Sequence, residues 1–132
     1  MRIPILALGD ILLTSIQSDL TDERAIRLQT DLLERLRGSR ARGVVIDITS
    51  LDIIDSYMAR ILSETAQMAQ LMGGDVVFTG MHPMVALTLV EMGRDLTGGM
   101  AALSLEQGVE KLRQKFAEYD IAGQGVFDDA GG

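Results

Sequence analysis

Two stretches of this chain constrain its fold more than any others: Gly43-Val44-Val45-Ile46-Asp47-Ile48 and Asp75-Val76-Val77-Phe78-Thr79-Gly80. A strand with one solvated face alternates apolar and polar residues. These runs do not alternate, so each needs cover on both faces. Each also follows a helical stretch that ends in glycine, Gly38-Ser39 before the first and Gly73-Gly74 before the second. Helices alternating with doubly buried strands imply parallel pairing with helical crossovers. The expected class is therefore α/β.

The flanking sequence completes the order. Ile3–Leu8 and Ile11–Ile16, separated by Gly9-Asp10, read as a hairpin. Thr21 is a candidate N-cap, followed by Asp22 and Glu23 at the positive end of the helix dipole. Ala25, Leu28, Leu32 and Leu36 recur at helical spacing. A second helix is expected from about Ser56 to Met72, and a third opens at His82-Pro83 and closes at Gly93. Met100–Leu103 reads as a short fifth strand, and Ser104-Leu105-Glu106-Gln107 matches a capping box for the last helix. The predicted order is β-β-α-β-α-β-α-β-α, a mixed and mostly parallel sheet of about five strands with about four helices. One domain is expected over residues 1–120. The Gly-rich residues 121–132 are expected to form a flexible C-terminal tail.

Composition excludes several chemistries. A chain of 132 residues that is 47% hydrophobic can bury a real core without staples. There is no cysteine, so disulfides, thiolate catalysis and cysteine-held zinc or iron–sulfur sites are ruled out. A single histidine excludes sites that need two. The net charge is −7, which argues against nucleic acid and anionic membranes. The apolar start is cut at Asp10, and no apolar run reaches the ~20 residues of a membrane helix. Neither a signal peptide nor a membrane segment is expected, and a cytoplasmic location is. No cofactor and no metal are implied.

The strongest local signal is Ile53-Ile54-Asp55-Ser56-Tyr57-Met58-Ala59-Arg60, which joins the loop after a buried strand to a helix start. That end of an open parallel sheet is where ligands and partners are met. Ser56 falls in the first helical turn, beside backbone N–H groups that tolerate a phosphate. Asp52 and Asp55 oppose one. Two unit charges ~4 Å apart at an effective dielectric of ~20 repel by about 4 kcal/mol, against about 0.3–1 kcal/mol from the dipole. A phosphate on Ser56 would thus add an ill-tolerated charge to an acidic rim. From spacing alone, Asp55 and Ser56 read first as plain helix-capping residues, since Asp-Ser before a helix is commonplace. Thr79, at the end of the next strand, is expected near Ser56 or is a plain turn residue. His82 has no obvious acid partner in the sequence and reads as a first-turn surface residue. Met58, Met68, Met72, Met84 and Met92 fall on helical apolar stripes, where core filling is the default. Asp47 with Thr79 invites a receiver-domain reading, but the acidic pair and the lysine that a receiver needs are missing. There is no Gly-x-Ser-x-Gly and no phosphate loop.

Taken together, the element order and the segment Asp55-Ser56 after Val44-Val45-Ile46-Asp47 resemble the STAS-domain anti-sigma factor antagonists. Tyr57-Met58 departs from the commonest form of that segment. With the run Thr79-Gly80-Met81-His82-Pro83, extending through Gly93, it is similar to the RsbS-type, stressosome branch of the family. The resemblance covers about residues 3–118. It implies a STAS fold and a scaffold and switch, not an enzyme. It further implies an RsbR-like STAS paralogue as co-assembly partner and homodimers within a large assembly. An RsbT-like serine/threonine kinase would be sequestered until the serine matching Ser56 is phosphorylated, and an RsbX-like phosphatase would reset the site. The contact residues it implies are Asp55, Ser56, Tyr57, Met58, Arg60 and Thr79. Thr79 matches a threonine phosphorylated in RsbR-type paralogues. The alternatives are a simple antagonist that binds an anti-sigma kinase without a cage, and a small nucleotide-binding or receiver-like domain.

Overall fold

The computed structural model describes residues 3–93 and 99–131, with side chains described through residue 123. The elements are β1 (Leu6–Leu8), β2 (Ile11–Ser15), α1 (Asp22–Gly38), β3 (Gly43–Asp47), α2 (Ser56–Leu71), β4 (Asp75–Thr79), α3 (Pro83–Glu91), β5 (Gly99–Ala102) and α4 (Leu105–Gly131). They form one sheet in the order β1-β2-β3-β4-β5. β1 runs antiparallel to β2, and the other pairs are parallel. This is the expected α/β order, with the hairpin turning at Gly9-Asp10.

Alternation along the strands divides the core in two. Leu12, Val44, Ile46, Val76 and Phe78 face the helices α1, α2 and α3, and meet Leu28, Leu32, Leu62, Val85 and Leu89. Ile11, Val45 and Val77 face the other way, onto Leu112 and Phe116 of α4. The asymmetry follows from connectivity. Three successive right-handed crossovers, each to the adjacent strand, place three helices on one face. α4 follows the last strand and closes the opposite face. Both layers explain why β3 and β4 carry no polar alternation: Val44, Val45, Val76, Val77 and Phe78 are all fully buried.

Local signals held at the helix starts. Thr21 caps α1 by accepting from Arg24 N, and Ser104 accepts from Gln107 N at 3.2 Å. Gln107 Oε1 takes Leu103 N at 3.3 Å, one residue before the partner a capping box would use. Three expectations differ from what is seen. Core filling fits Met58, whereas Met68, Met72, Met84 and Met92 are 40–55% exposed, because they lie outside the buried faces of α2 and α3 or at their C-terminal ends. β1 spans only Leu6–Leu8, shorter than the expected run Ile3–Leu8, and is exposed at each residue. α4 runs through Gly131, past the expected boundary at 120.

Candidate functional site

The parallel register brings Ser15, Asp47, Thr79 and Ala102 into one row at the carboxyl end of the strands. Residues in one row share a face, and this row continues the side of Val45 and Val77, which α4 covers. Thr79 is accordingly buried, and its Oγ1 donates to Asp47 Oδ1 at 3.1 Å. The first turn of α4 passes so close that a Cβ on Gly108 would lie 2.7 Å from Thr79 Cγ2. Thr79 therefore does not share a surface with Ser56, whose helix lies on the other face.

The segment between β3 and α2 crosses over this row. Asp47 Oδ1 also accepts from Thr49 Oγ1 at 2.6 Å, and Ile48 N donates to Thr79 O at 2.9 Å. Ser50 Oγ donates to Gln17 Oε1 at 3.2 Å. On the far side, His82 Nε2 lies 2.7 Å from Thr49 O and 3.5 Å from Asp52 Oδ1. His82 thus has an acid partner after all, one that lies thirty positions upstream and is invisible to local spacing.

The segment delivers Ser56 as the first residue of α2. Asp55 is the N-cap, and its Oδ1 accepts from Met58 N at 2.8 Å. Asp55, Ser56 and Arg60 are exposed, and Tyr57 is half-buried. Met58, grouped with them from the sequence, points into the core instead, at the position three residues on where α2 meets the sheet. Arg60 Nε pairs with Glu64 Oε1 at 3.2 Å, and its guanidinium sits 5.8 Å from the Tyr57 ring centre. Ile53 was not singled out as a contact residue, yet it is 73% exposed between Asp52 and Asp55. Isolated exposed apolar residues are common, and only its place beside Ser56 marks it. The surface is thus acidic and hydroxyl-bearing with one apolar knob. Among the described residues no group of three or more acids or histidines is placed to hold a metal ion. No described helix is long and apolar enough to cross a membrane.

A five-stranded mixed sheet with three helices on one face and one on the other has the STAS architecture. The STAS domain profile matches residues 2–97, and the chain belongs to the STAS domain family. Within it, the chain is similar to RsbS. A serine-to-glutamate form of RsbS from Moorella thermoacetica is 38% identical, with a TM-score of 0.80 over 89% of this chain and 99% of that one. A chain from the molecular architecture of the stressosome, a signal integration and transduction hub, is 40% identical, with a TM-score of 0.75 over 84% of this chain and 96% of that one. The RsbT co-antagonist protein RsbRA of Bacillus subtilis (strain 168) is 30% identical over 88 residues, 67% of this chain. The chain spans only 32% of the length of RsbRA.

Proposed function

We propose that this chain is a stressosome scaffold and phospho-switch protein. As an RsbS-like anti-sigma factor antagonist it sequesters an RsbT-like serine/threonine kinase, and releases it when Ser56 is phosphorylated. The observation that carries this reading is the exposed Ser56 at the start of a helix capped by Asp55, three residues after the exposed Ile53. A kinase can reach such a hydroxyl without unfolding anything. Asp55, Ser56, Tyr57 and Arg60 form the contact surface, with Ile53 as its apolar anchor. Met58 and Thr79 act from beneath, by fixing the helix start and the segment. Phosphorylation adds a charge of about −1.5 to −2 to a rim that already carries Asp52 and Asp55. An uncompensated charge at the centre of a contact commonly costs several kcal/mol, and 1.4 kcal/mol is tenfold in affinity. Release follows from electrostatics alone and needs no change of fold.

The similarity to the stressosome chain supports co-assembly with an RsbR-like paralogue in the cytoplasm, with homodimers as the building unit. An RsbX-like phosphatase resets Ser56. No catalytic step, cofactor, nucleic acid or membrane enters this reading.

The test combines the pure chain with an RsbR-like paralogue and an RsbT-like kinase. A large complex that holds the kinase should form, and ATP should release the kinase with label on Ser56. Kinase binding without a large complex would favour the simple antagonist. Full labelling of Ser56→Ala would overturn the choice of residue.

A further inference from the structure

We propose that His82 is a positioning residue for Ser56, acting as a clamp that holds the β3–α2 segment against the β4–α3 turn. This rests on Ser56 being the acceptor. His82 occupies the N-cap of α3, where Ser, Thr, Asp or Asn would satisfy the orphan N–H groups. It makes no side-chain capping bond. Its ring is turned instead onto the neighbouring segment, at 2.7 Å from Thr49 O and 3.5 Å from Asp52 Oδ1. A carbonyl oxygen only accepts, so Nε2 carries the proton and donates to Thr49. Pro83 enforces this direction, since a residue before proline is held extended, and His82 has φ −74° and ψ 147°.

The turn and the segment are fitted to each other. Gly80 has φ +75°, and a Cβ there would collide with Thr49 Oγ1. Thr49 is therefore gripped at two points, its hydroxyl by Asp47 and its carbonyl by His82. Six residues later the chain enters α2 at Asp55. Losing the clamp leaves the hydroxyl contact and the buried core in place, but lets the part of the segment that bears Asp52 and Ile53 sample other arrangements. A partner that binds one arrangement then sees only the competent fraction, and its apparent affinity falls by that fraction.

Two variants test the clamp. His82→Ala removes the donor. His82→Gln places an amide N–H near the position of Nε2 without the ring. In the isolated chain, amide hydrogen exchange at Thr49 and Leu51, whose N–H groups are bonded within the segment, should rise severalfold in His82→Ala and return toward wild type in His82→Gln. The unfolding midpoints of all three proteins should stay close together. With the kinase, the KM for this chain should rise about threefold to tenfold in His82→Ala, with kcat unchanged, and His82→Gln should stay within about twofold. A merely structural role would not produce a KM effect that Gln rescues. Wild-type exchange in His82→Ala would overturn the clamp. Raised exchange with an unchanged KM would overturn the positioning role. If the wild-type chain takes no label on Ser56, the reading of Ser56 has failed, and exchange alone then judges the clamp.

Discussion

Thr79 Oγ1 donates to Asp47 Oδ1 at 3.1 Å, across the register that aligns β3 with β4. The same carboxylate oxygen takes the Thr49 hydroxyl, so one atom joins the end of β4 to the segment that leads to Ser56. Thr79 is fully buried under Gly108. A phosphate on Thr79 would replace this donor with a dianion against a carboxylate in a space too small for it. Kinase labelling of the folded chain should therefore map to Ser56 and not to Thr79. Thr79→Val should destabilise by about 1–3 kcal/mol, the usual worth of a hydrogen bond to a charged group, although Asp47 Oδ1 keeps the Thr49 hydroxyl. Phosphopeptide mapping and denaturant unfolding check the two parts. A Thr79 phosphopeptide from native protein would refute the first.

Gly108 gives a second test of the same packing. Gly→Ala in a helix ordinarily gains about 0.5–1 kcal/mol. Here the new methyl would lie 2.7 Å from Thr79 Cγ2 and 3.2 Å from Val77 Cγ1. Overpacking of this kind costs about 1–3 kcal/mol, so Gly108→Ala should be net destabilising. Gly123→Ala on the same helix meets nothing within 4 Å and should be neutral or stabilising. Thr79→Ser removes the clashing methyl and keeps the hydroxyl, so the double variant with Gly108→Ala should recover part of the loss. Additive effects in that cycle would mean the two residues do not collide.

Which parts of this architecture could be read from residues alone follows from range. Runs such as Val44-Val45-Ile46 and Val76-Val77-Phe78 state their double burial directly, and Thr21 and Asp55 state the helix starts, because capping is a contact across three residues. The class of fold follows from those. Side assignments do not. Thr79 looked close to Ser56 because both sit at strand ends, but alternation turns its side chain toward α4, and only the packed position of α4 shows that Gly108 seals it. The His82–Asp52 contact joins residues thirty apart that meet only once β3 and β4 pair. Ile53 carried no periodic signal, because it lies in a loop, and its exposure emerges from the path of the chain.

The end of β4's neighbourhood that lies away from Ser56 has its own titration. Tyr119 Oη donates to Asp75 Oδ1 at 3.2 Å. Burial first, and then the Asp75 charge, raise the Tyr119 phenol above its ordinary value of 10.0. A raised folded-state value means that the folded chain binds more protons than the unfolded chain once pH exceeds that ordinary value. The contribution is whole below about pH 10 and is lost as pH climbs through the folded value. Thermal unfolding should fall more steeply above pH 10 in wild type than in Tyr119→Phe. Parallel curves for the two proteins would contradict the coupling.

Residues 121–132 are proposed to be dispensable for the domain. Among the described side chains, the interactions that anchor α4 lie at or before Asp120. Arg42 stacks 4.6 Å from the Phe116 ring centre and pairs with Asp120 Oδ1 at 2.9 Å. A chain ending at Asp120 keeps both contacts and the Leu112–Phe116 core. Its unfolding midpoint should stay within a few degrees of the full chain. A large drop would place an essential contact beyond Asp120.

Ser56→Asp should separate binding from folding. A carboxylate in the first turn gains about 0.3–1 kcal/mol from the dipole. Arg60 lies four residues on, on the same helix face, and can share its charge between Glu64 and the new Asp for about 0.3–0.5 kcal/mol. Asp52 and Asp55 are exposed and solvated, and they take back a similar amount. The net change in stability should fall inside the ±0.5 kcal/mol typical of surface substitutions. At the kinase contact the same charge must lose water against a partner, so retention of the kinase by the assembled complex should drop at least tenfold. Ile53→Ala should also weaken retention without lowering the unfolding midpoint, because its side chain is already in water. Equal retention of the kinase by wild type and Ser56→Asp, checked again with chain phosphorylated in vitro on Ser56, would rule out release by added charge.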